Sequence, residues 1–376
     1  MAEGALSRRT PCFRASVAGG YNRLYLASKV VCQGDNPRTP SAAKDRVGEI
    51  RSDMHLQTAP ERLQQPLQSF LVKEPNTVNE KWHIPSILRM QDIIWDNLTA
   101  PIRHVEVNQW RGGYTYWHLP YARGASSQWL NLYVPASVEP VPLLVLVHGG
   151  GFVINDAESH QVQLFYRYFR EKGYACATIN YRLAGEAPYP AALEDVKAAL
   201  RFLGQHGDQY GYDTRRVALW GESAGAYLAV MAAYSAAEEY SRERCEGETE
   251  SNLFPPLPLA AVVDFYGPAD VTAQEGQFLA AGVPRMIRRL ANGWLTRHIG
   301  GFSSAEECWM GKPYESWTGS EYESFVPCRR VAARTCPHPG LRTLLVHGQA
   351  DLTVAPAQSE QLCRVPVSYT HLTLPT

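Results

Sequence analysis

A pentapeptide between a short apolar run and a run of small residues constrains this chain more than any other feature. Residues 221–225 read Gly-Glu-Ser-Ala-Gly, which fits the pattern Gly-x-Ser-x-Gly of a nucleophile elbow. The apolar residues 217–220 predict a buried strand before the elbow, and residues 224–233 predict a helix after it. A direct turn from strand to helix strains the serine backbone, and the two glycines let the strand and the helix approach each other. The pattern therefore predicts an exposed Ser223 at the carboxyl edge of a sheet.

A second motif, His-Gly-Gly-Gly-Phe at residues 148–152, directly follows a continuous apolar run that predicts a strand buried on both faces. Three consecutive glycines cost backbone entropy, so they are disfavoured unless the chain must approach something closely. The backbone N–H groups of Gly150 and Gly151, with that of Ala224, are predicted to form an oxyanion hole. His148 is interpreted as a structural residue that braces the loop, because it lies on the oxyanion side of the site. A phosphate-binding role for the glycines is disfavoured because no Gly-Lys-Ser/Thr follows them.

The rest of the sequence alternates between strand and helix patterns. The strand patterns at 114–119 and 129–134 are separated by a turn rich in Gly and Ser, which predicts an antiparallel hairpin. The elements that follow are a strand at 143–147, a helix at 157–172, a strand at 174–179, a helix that Pro190 opens, and strands at 259–265 and 343–346. Such alternation predicts the α/β class, with a mostly parallel sheet covered by helices on both faces.

We expect one α/β domain over residues 76–366. The segment before it, residues 1–75, begins with many arginines and few acids, so we interpret it as a disordered leader or a non-native upstream segment. An organelle transit peptide is the alternative. The polar and aromatic residues at about 272–340 predict an insertion, or cap, above the carboxyl edge of the sheet that shapes the pocket. Residues 238–250 hold six Glu against two Arg and predict a solvated loop without chemistry.

Composition excludes several function classes. A formal net charge of −1 argues against nucleic acid or an acidic membrane surface as the main partner. No apolar run approaches the roughly 18 residues that a membrane-spanning helix needs. The eight cysteines lack paired spacing and no apolar signal segment opens the chain, so reduced thiols and a cytoplasmic location are expected. Nothing in the sequence sets the oligomeric state.

The motifs together resemble the α/β-hydrolase superfamily, and specifically the hormone-sensitive-lipase-like esterases, also called the α/β-hydrolase fold-3 group. The resemblance covers about residues 129–363 and is carried by the segments 148–152, 180–183, 188–195, 221–226, 264–270 and 347–351. It implies a serine carboxylic-ester hydrolase that acts on small to medium ester molecules through an acyl-enzyme, with no metal and no organic cofactor. The hexapeptide Gly-Glu-Ser-Ala-Gly-Ala is also similar to the corresponding motif of the type-B carboxylesterases, which have a longer chain and usually use a Glu as the catalytic acid.

In this superfamily the catalytic residues follow the order Ser, then Asp or Glu, then His. The resemblance implies that Asp351, after the last strong strand, is the acid that orients the catalytic histidine. Asp270, which follows an earlier strand, is the rival acid. Arg182 with Glu194 and Asp195 is interpreted as a buried polar bracket that is structural and not catalytic.

The catalytic histidine is the member of the triad that the sequence does not clearly supply. His371 is the sole histidine after Asp351, and the residues around it, 367–376, resemble translated sequencing-adapter sequence. We therefore expect the natural chain to be truncated just before this tail, without its last helix and strand and without the catalytic histidine. His298 and His338 precede Asp351 and break the order of the family.

Two other functions stay open from the sequence. One is a non-catalytic binding protein of the α/β-hydrolase fold whose triad has decayed. The intact Ser223, Asp351 and glycine loop argue against this alternative, because decay should not spare all of them. The other is an amide or peptide hydrolase of the same fold, in which the same nucleophile acts on a different bond.

Overall fold

A computed structural model of the chain describes residues 106–110, 112–245, 247–249, 254–287, 301–302, 304–332, 336–365 and 369–374. The predicted leader at residues 1–75 lies outside this part of the chain. The strands that the structure describes are β1 (Glu106–Trp110), β2 (Gly113–Pro120), β3 (Trp129–Val134), β4 (Val141–Val147), β5 (Ala175–Ile179), β6 (Tyr212–Glu222), β7 (Ala261–Phe265), β8 (Arg342–Gly348) and β9 (Tyr369–Leu374). They form one sheet in the order β1-β2-β3-β5-β4-β6-β7-β8-β9.

Helices follow most of the parallel strands. Those of the described part include α1 (His160–Glu171), α2 (Ala191–Gln205), α3 (Gly207–Tyr210), α4 (Ala224–Tyr234), α5 (Gln274–Ala280), α6 (Ala305–Met310), α7 (Gly319–Phe325), α8 (Pro327–Ala332) and α9 (Ala357–Cys363), with a 3-10 turn at Tyr314–Ser316.

The sheet is antiparallel at one side and parallel over the rest. β1, β2 and β3 pair antiparallel, and β3 also pairs antiparallel with β5. Every pair from β5 across to β9 is parallel. The register places Val147 of β4 opposite Gly221 of β6, and Phe265 of β7 opposite Val346 of β8, so the carboxyl ends of these four strands meet at one edge. The predicted hairpin and the predicted α/β class with a mostly parallel sheet are both confirmed.

Strand β4 divides the core between the two faces of the sheet, because successive side chains of a strand point to opposite sides. All of its residues are buried. Leu144 and Leu146 belong to a cluster with Phe165 of α1, whereas Val145 and Val147 belong to the cluster that α2 and α4 share. Full burial of such a side chain contributes roughly 1.5–3 kcal/mol, so burial on both faces makes β4 a strong anchor of the sheet.

The segment between β7 and β8 is helical where the sequence predicts an insertion at about 272–340. It contains α5, α6, α7 and α8, and no strand of the described part interrupts them. Its aromatic residues Trp309, Trp317 and Phe325 are buried in the main core cluster. The described helices of this inserted segment therefore pack on the domain as structured elements.

The acidic segment at 238–250 differs from the predicted solvated loop. The side chain of Glu248 is fully buried, and Arg201 of α2 donates to its carboxylate at 2.6 Å. Arg182 pairs in the same way with Glu243 at 2.9 Å. The prediction is wrong because the count of charges in a segment does not show that buried arginines elsewhere in the chain neutralise them.

The polar bracket predicted around Arg182 is present and buried. The guanidinium donates to both oxygens of Asp195, with its Nη2 at 2.6 Å from Oδ1 and its Nε at 2.9 Å from Oδ2. Gln128 also donates to Asp195 at 2.8 Å, and Asp195 has no exposed surface. The carboxyl of Glu194 is largely buried beside them, and burial raises its pKa. These contacts join α2 to the chain that follows β5.

The chain after Asp351 contains both a helix and a strand, and the expectation that the last helix and strand of the natural chain are lacking stays a prediction. α9 follows the loop of Asp351, and β9 pairs in parallel with β8. β8 would otherwise present unpaired N–H and C=O groups, and Tyr, Thr and Leu favour extended backbone, so the residues of β9 can complete this edge. The interpretation of residues 367–376 as a non-native tail stays a prediction.

Candidate active site

Ser223 occupies the junction between β6 and α4 in a strained backbone conformation, with φ 51° and ψ −121°. Its N–H donates to the carbonyl of Phe265 at 2.9 Å, and its own carbonyl accepts from the N–H groups of Ala226 and Tyr227. Such strain typically costs about 1–3 kcal/mol and persists only where neighbouring contacts enforce it. The side chain lies at the carboxyl edge of the sheet, where the elbow motif predicts it, but it is half-buried and not exposed.

The two glycines of the elbow are required by close approach of main chain. A Cβ on Gly221 would lie 2.1 Å from the carbonyl oxygen of Gly225. A Cβ on Gly225 would lie 2.2 Å from the carbonyl oxygen of Val147 and 2.4 Å from that of His148. Strand β6, helix α4 and the end of β4 therefore fit together only without side chains at these two positions.

The glycine loop after β4 is also held by a tight turn of its own. Gly150 has φ 119°, Gly151 has φ 60° and Phe152 has φ 65°. The carbonyl of Gly150 accepts from the N–H groups of Val153 and Ile154, and a Cβ on Gly150 would lie 2.2 Å from the oxygen of Ile154. Gly150 is therefore needed for the turn itself, a reason that the sequence did not reveal.

The loop and the elbow lie against each other. A Cβ on Gly149 would lie 3.1 Å from the Cβ of Ser223. Within the described residues, the N–H groups of Gly150, Gly151 and Ala224 have no hydrogen-bond acceptor. Three main-chain donors without internal partners, all at the edge that carries Ser223, are the groups that the sequence assigns to an oxyanion hole.

His148 braces the glycine loop, in line with its interpretation as a structural residue. Its side chain is fully buried, its Nδ1 donates to the carbonyl of Gly149 at 2.8 Å, and its ring stacks on Tyr181 at 4.1 Å. The hydroxyl of Tyr181 donates to the carbonyl of His148 at 2.9 Å. Burial lowers the pKa of His148 to about 4, so the ring is neutral at pH 7.

Glu222 is a structural part of the site that sequence reasoning missed. Its side chain is buried beside Ser223; Oε2 accepts from the hydroxyl of Tyr266 at 3.0 Å and Oε1 accepts from the N–H of Gly149 at 3.4 Å. Burial raises the pKa of this carboxyl to about 7, against the effect of its two hydrogen bonds. The only signal in the sequence is an acid at the last position of an apolar strand. Glu222 links the elbow to the glycine loop and to the end of β7.

Asp351 lies in the loop after β8, at the same edge of the sheet and half-buried. Its Oδ1 accepts from the N–H groups of Thr353 at 2.7 Å and Val354 at 2.9 Å. Its Oδ2 lies 3.7 Å from Nε2 of His347, beyond hydrogen-bond distance. One carboxylate oxygen thus fixes the loop while the other has capacity to accept a further donor.

Asp270 is engaged differently. Its Oδ1 accepts from the hydroxyl of Thr272 at 2.6 Å, and its Oδ2 accepts from the side chain of Gln361 at 3.1 Å. Oδ1 therefore fixes the chain after β7 and Oδ2 joins that chain to α9, and this geometry favours Asp351 over Asp270 as the acid.

No described histidine side chain forms a hydrogen bond with Ser223. His347 is buried, with Nδ1 bonded to the hydroxyl of Ser359 at 2.7 Å and Nε2 to the carbonyl of Val354 at 3.0 Å, so it anchors the loop of Asp351. His371 lies within β9, opposite Leu345. Sequence reasoning did not anticipate the role of His347.

Two histidines that the sequence analysis names remain, His338 and His298. His338 accepts from the N–H of Leu259 at 3.4 Å and lines a cavity of about 30 Å³ with Lys197 and Arg201. That cavity includes none of the predicted site residues. His298 lies outside the described residues.

Among the described residues, no group of three or more His, Cys, Asp or Glu side chains is arranged to hold a metal ion. No helix in that part of the chain has both the length and the apolar character to cross a bilayer.

A mostly parallel sheet with a serine elbow and a glycine loop at one edge is the arrangement of the α/β-hydrolase fold. The family model BD-FAE matches residues 130–365, which is more than half of the chain. The chain belongs to the BD-FAE family, whose α/β-hydrolase-like domain fits the resemblance to hormone-sensitive-lipase-like esterases.

Curated relatives share part of the sequence. Esterase LipI of Mycobacterium tuberculosis is 40% identical over 95 residues, which cover 25% of this chain and 29% of that protein. Lipase 2 of a Moraxella species is 37% identical over 90 residues, which cover 24% of this chain and 21% of that protein. The matched segments thus span between about a fifth and a third of these relatives.

Solved structures share the fold. Esterase B from Lactobacillus rhamnosis superimposes with a TM-score of 0.51 at 21% identity and covers 84% of each chain. A bifunctional GH43-CE protein from Bacteroides eggerthii has a TM-score of 0.54 at 23% identity, over 71% of this chain and 33% of that one. At such identity these similarities show the fold alone.

Proposed function

We propose that the chain is a serine carboxylic-ester hydrolase that acts on small to medium esters through an acyl-enzyme. One observation carries this proposal. Ser223 is held at positive φ at the end of β6, directly against a glycine loop in which the N–H groups of Gly150 and Gly151 have no acceptor among the described residues. A strained serine beside unpaired main-chain donors is the arrangement that acyl transfer requires.

In this mechanism the Oγ of Ser223 attacks the acyl carbonyl and passes its proton to a base. The developing oxyanion accepts from the N–H groups of Gly150, Gly151 and Ala224, and each such donor typically contributes on the order of 10²–10³ in rate. The alcohol leaves with the proton from the base. Water then attacks the acyl-enzyme by the reverse use of the same groups and frees Ser223.

Asp351 is the acid of the proposed triad. Its free carboxylate oxygen would accept from a histidine ring and stabilise the charged form of that ring. The base is a histidine that none of the described side chains supplies, and we propose that it is missing from this chain. The chain is therefore expected to turn over esters weakly.

The substrate class and the setting of the enzyme are parts of the same proposal. The relatives are named esterases and lipases, including an acetyl esterase of Salmonella, which supports a small-molecule ester as substrate. The described cysteines form no disulfide, which supports a reducing, cytoplasmic setting.

A fluorophosphonate reagent tests the nucleophile, because it phosphonylates an activated serine and the adduct is read by mass spectrometry of the intact protein. We expect slow labelling of the chain at Ser223 and none of Ser223→Ala. Ser137→Ala is the matched control, because Ser137 is exposed and bonds only the carbonyl of Glu139, and it should label like the unchanged protein. Equal labelling of Ser223→Ala and the unchanged protein would refute the assignment.

A further inference from the structure

The glycine loop ends on a buried aromatic ring that packs against two others. Phe152, directly after Gly151, is buried and stacks on Trp309 with ring centres 3.9 Å apart and planes 12° apart. The ring of Tyr227 meets Phe152 edge-on at 5.4 Å and meets Trp309 edge-on at 5.5 Å. Each of the three rings therefore contacts the other two.

The proposed oxyanion hole has two halves, which are the glycine loop and the first turn of α4. Each half carries one of these rings, and the third ring belongs to the inserted segment. Phe152 follows the loop donors Gly150 and Gly151 in the chain. Tyr227 lies in the first turn of α4, whose first residue, Ala224, is the third donor. Trp309 belongs to α6, between β7 and β8, and touches the ring from each half.

Trp309 is itself fixed from several sides. It has no exposed surface, and its carbonyl accepts from the N–H of Tyr189 at 2.8 Å. The hydroxyl of Tyr227 donates to the carbonyl of Phe325 at 2.6 Å, and that of Tyr189 donates to the carbonyl of Ser324 at 3.0 Å. Hydrogen bonds thus tie the inserted segment to α4 and to the chain before α2.

Core packing alone would not require this arrangement, as a second buried tryptophan of the same segment shows. The ring contacts of Trp317 are with Tyr314, Tyr322 and Phe325, all inside the inserted segment, and its Nε1 donates to a carbonyl there. The Nε1 of Trp309 has no hydrogen-bond partner among the described residues. Ring packing and the main-chain bond therefore set the place of Trp309, whose ring contacts Phe152 and Tyr227 as well as Tyr189 and Phe325.

We propose that Trp309 is a positioning residue that sets the distance between the two halves of the oxyanion hole. The inference rests on the proposed function of the glycine loop and extends it to the inserted segment. Three consecutive glycines leave the loop many conformations, and a flat, rigid ring against Phe152 selects one of them. Trp309 touches no substrate atom in this proposal and acts through Phe152 and Tyr227.

The test compares Trp309→Leu with Trp309→Phe and with the matched control Trp317→Leu, all in the full 376-residue chain. The first readout is the rate of phosphonylation of Ser223 against reagent concentration. Trp309→Leu should lower the maximal rate about tenfold or more without a matching change in the half-saturating concentration, because misplaced donors weaken only the transition state. Trp309→Phe keeps a flat ring and should stay within about threefold of the unchanged chain, as should Trp317→Leu.

The second readout is amide hydrogen exchange, which does not depend on the chemistry of Ser223. Trp309→Leu should speed exchange in residues 149–153 at least about fivefold, whereas Trp317→Leu should speed exchange only in the inserted segment. If Trp309→Leu is too unstable to assay, Phe152→Leu removes the same stack from the other side and should reproduce both effects.

The outcomes separate the two proposals. Faster exchange at 149–153 in a chain whose Ser223 never reacts would support the positioning role and refute the proposed function. Equal labelling rates and equal exchange at 149–153 for Trp309→Leu and Trp317→Leu would overturn the positioning role and leave the proposed function intact.

Discussion

The carboxyl ends of β4 and β6 differ from the carboxyl end of β8 in what holds them in place. At β4 and β6 the main chain itself is locked, because a Cβ on Gly221 or Gly225 would lie within 2.2 Å of a carbonyl oxygen. At β8 the loop of Asp351 is held by hydrogen bonds to side chains, with two N–H groups donating to Asp351 and His347 bonded to Ser359. Close approach of main-chain atoms fixes the region of β4 and β6, and hydrogen bonds of polar side chains fix the region of β8.

This difference decides whether a substitution lowers stability and activity together or lowers activity alone. In the region of β4 and β6, an added methyl group meets main chain that cannot rotate away, so stability is lost together with activity. In the region of β8, an isosteric substitution can keep the hydrogen bonds that shape the loop and remove only the charge. The polar region is therefore where catalytic roles can be tested most cleanly.

The largest effect is expected from supplying the catalytic histidine that we propose is missing from this chain. Replacing the residues after Arg364 by the corresponding C-terminal segment of a family member, with its histidine, should raise turnover of a p-nitrophenyl ester about 10³-fold or more. The graft with that histidine changed to Ala is the matched control and should stay at the low rate. High activity of the unmodified chain that His371→Ala abolishes would instead make His371 the base.

The next effect concerns the choice between the two candidate acids, measured in the grafted protein. Asp351→Asn should lower kcat about 100-fold or more with little change in melting temperature, because the amide oxygen can still accept from the loop N–H groups. Asp270→Asn should leave kcat within about threefold and lower the melting temperature, since Asp270 holds Thr272 and Gln361. The reverse pattern would make Asp270 the acid.

Sequence motifs were informative where the structure is built by main chain. The elbow and the glycine loop lie within short segments, so residue types at fixed spacing predict strained backbone and close approach there. The parallel register that brings Val147 opposite Gly221 follows from the alternation of strands and helices. The α/β class and the region of β4 and β6 could therefore be predicted.

Contacts between side chains distant in sequence were not predictable in the same way. The pairing of Arg201 with Glu248 and the stacking of Phe152 on Trp309 depend on how α2 and the inserted segment dock, which no local pattern encodes. The roles of Glu222 and His347 depend on partners contributed by other strands and loops.

A smaller effect tests how tightly the main chains of β6 and α4 pack against each other. Gly221→Ala places a methyl group 2.1 Å from the carbonyl of Gly225, and overpacking of this kind costs about 3 kcal/mol, which corresponds to a melting temperature lower by roughly 5–10 °C. Gly185→Ala is the matched control, because a Cβ there meets open space, and should change stability by less than about 0.5 kcal/mol. Similar melting temperatures for both variants would show that β6 and α4 can separate at no cost.

The smallest expected effect is on the pH dependence of the free energy of unfolding. It comes from Glu222, whose carboxyl accepts from a tyrosine hydroxyl and from a main-chain N–H. Burial raises the pKa of Glu222 from 4.5 to about 7, so between these values the folded protein binds the proton that the unfolded chain has released. Stability should therefore fall as pH rises through this window, by on the order of 2 kcal/mol from this group. Glu222→Gln carries no titrating charge and should reduce the slope. The substitution should not reduce the slope to zero, because burial also raises the pKa of Asp264 to about 7. Denaturant unfolding at pH 4.5 to 8 measures the slope, and the exposed Glu171→Gln is the control. An unchanged slope in Glu222→Gln would mean that Glu222 is ionised in the folded protein over this whole pH range. The hydrogen bonds from Tyr266 and Gly149 would then outweigh the effect of burial on its pKa.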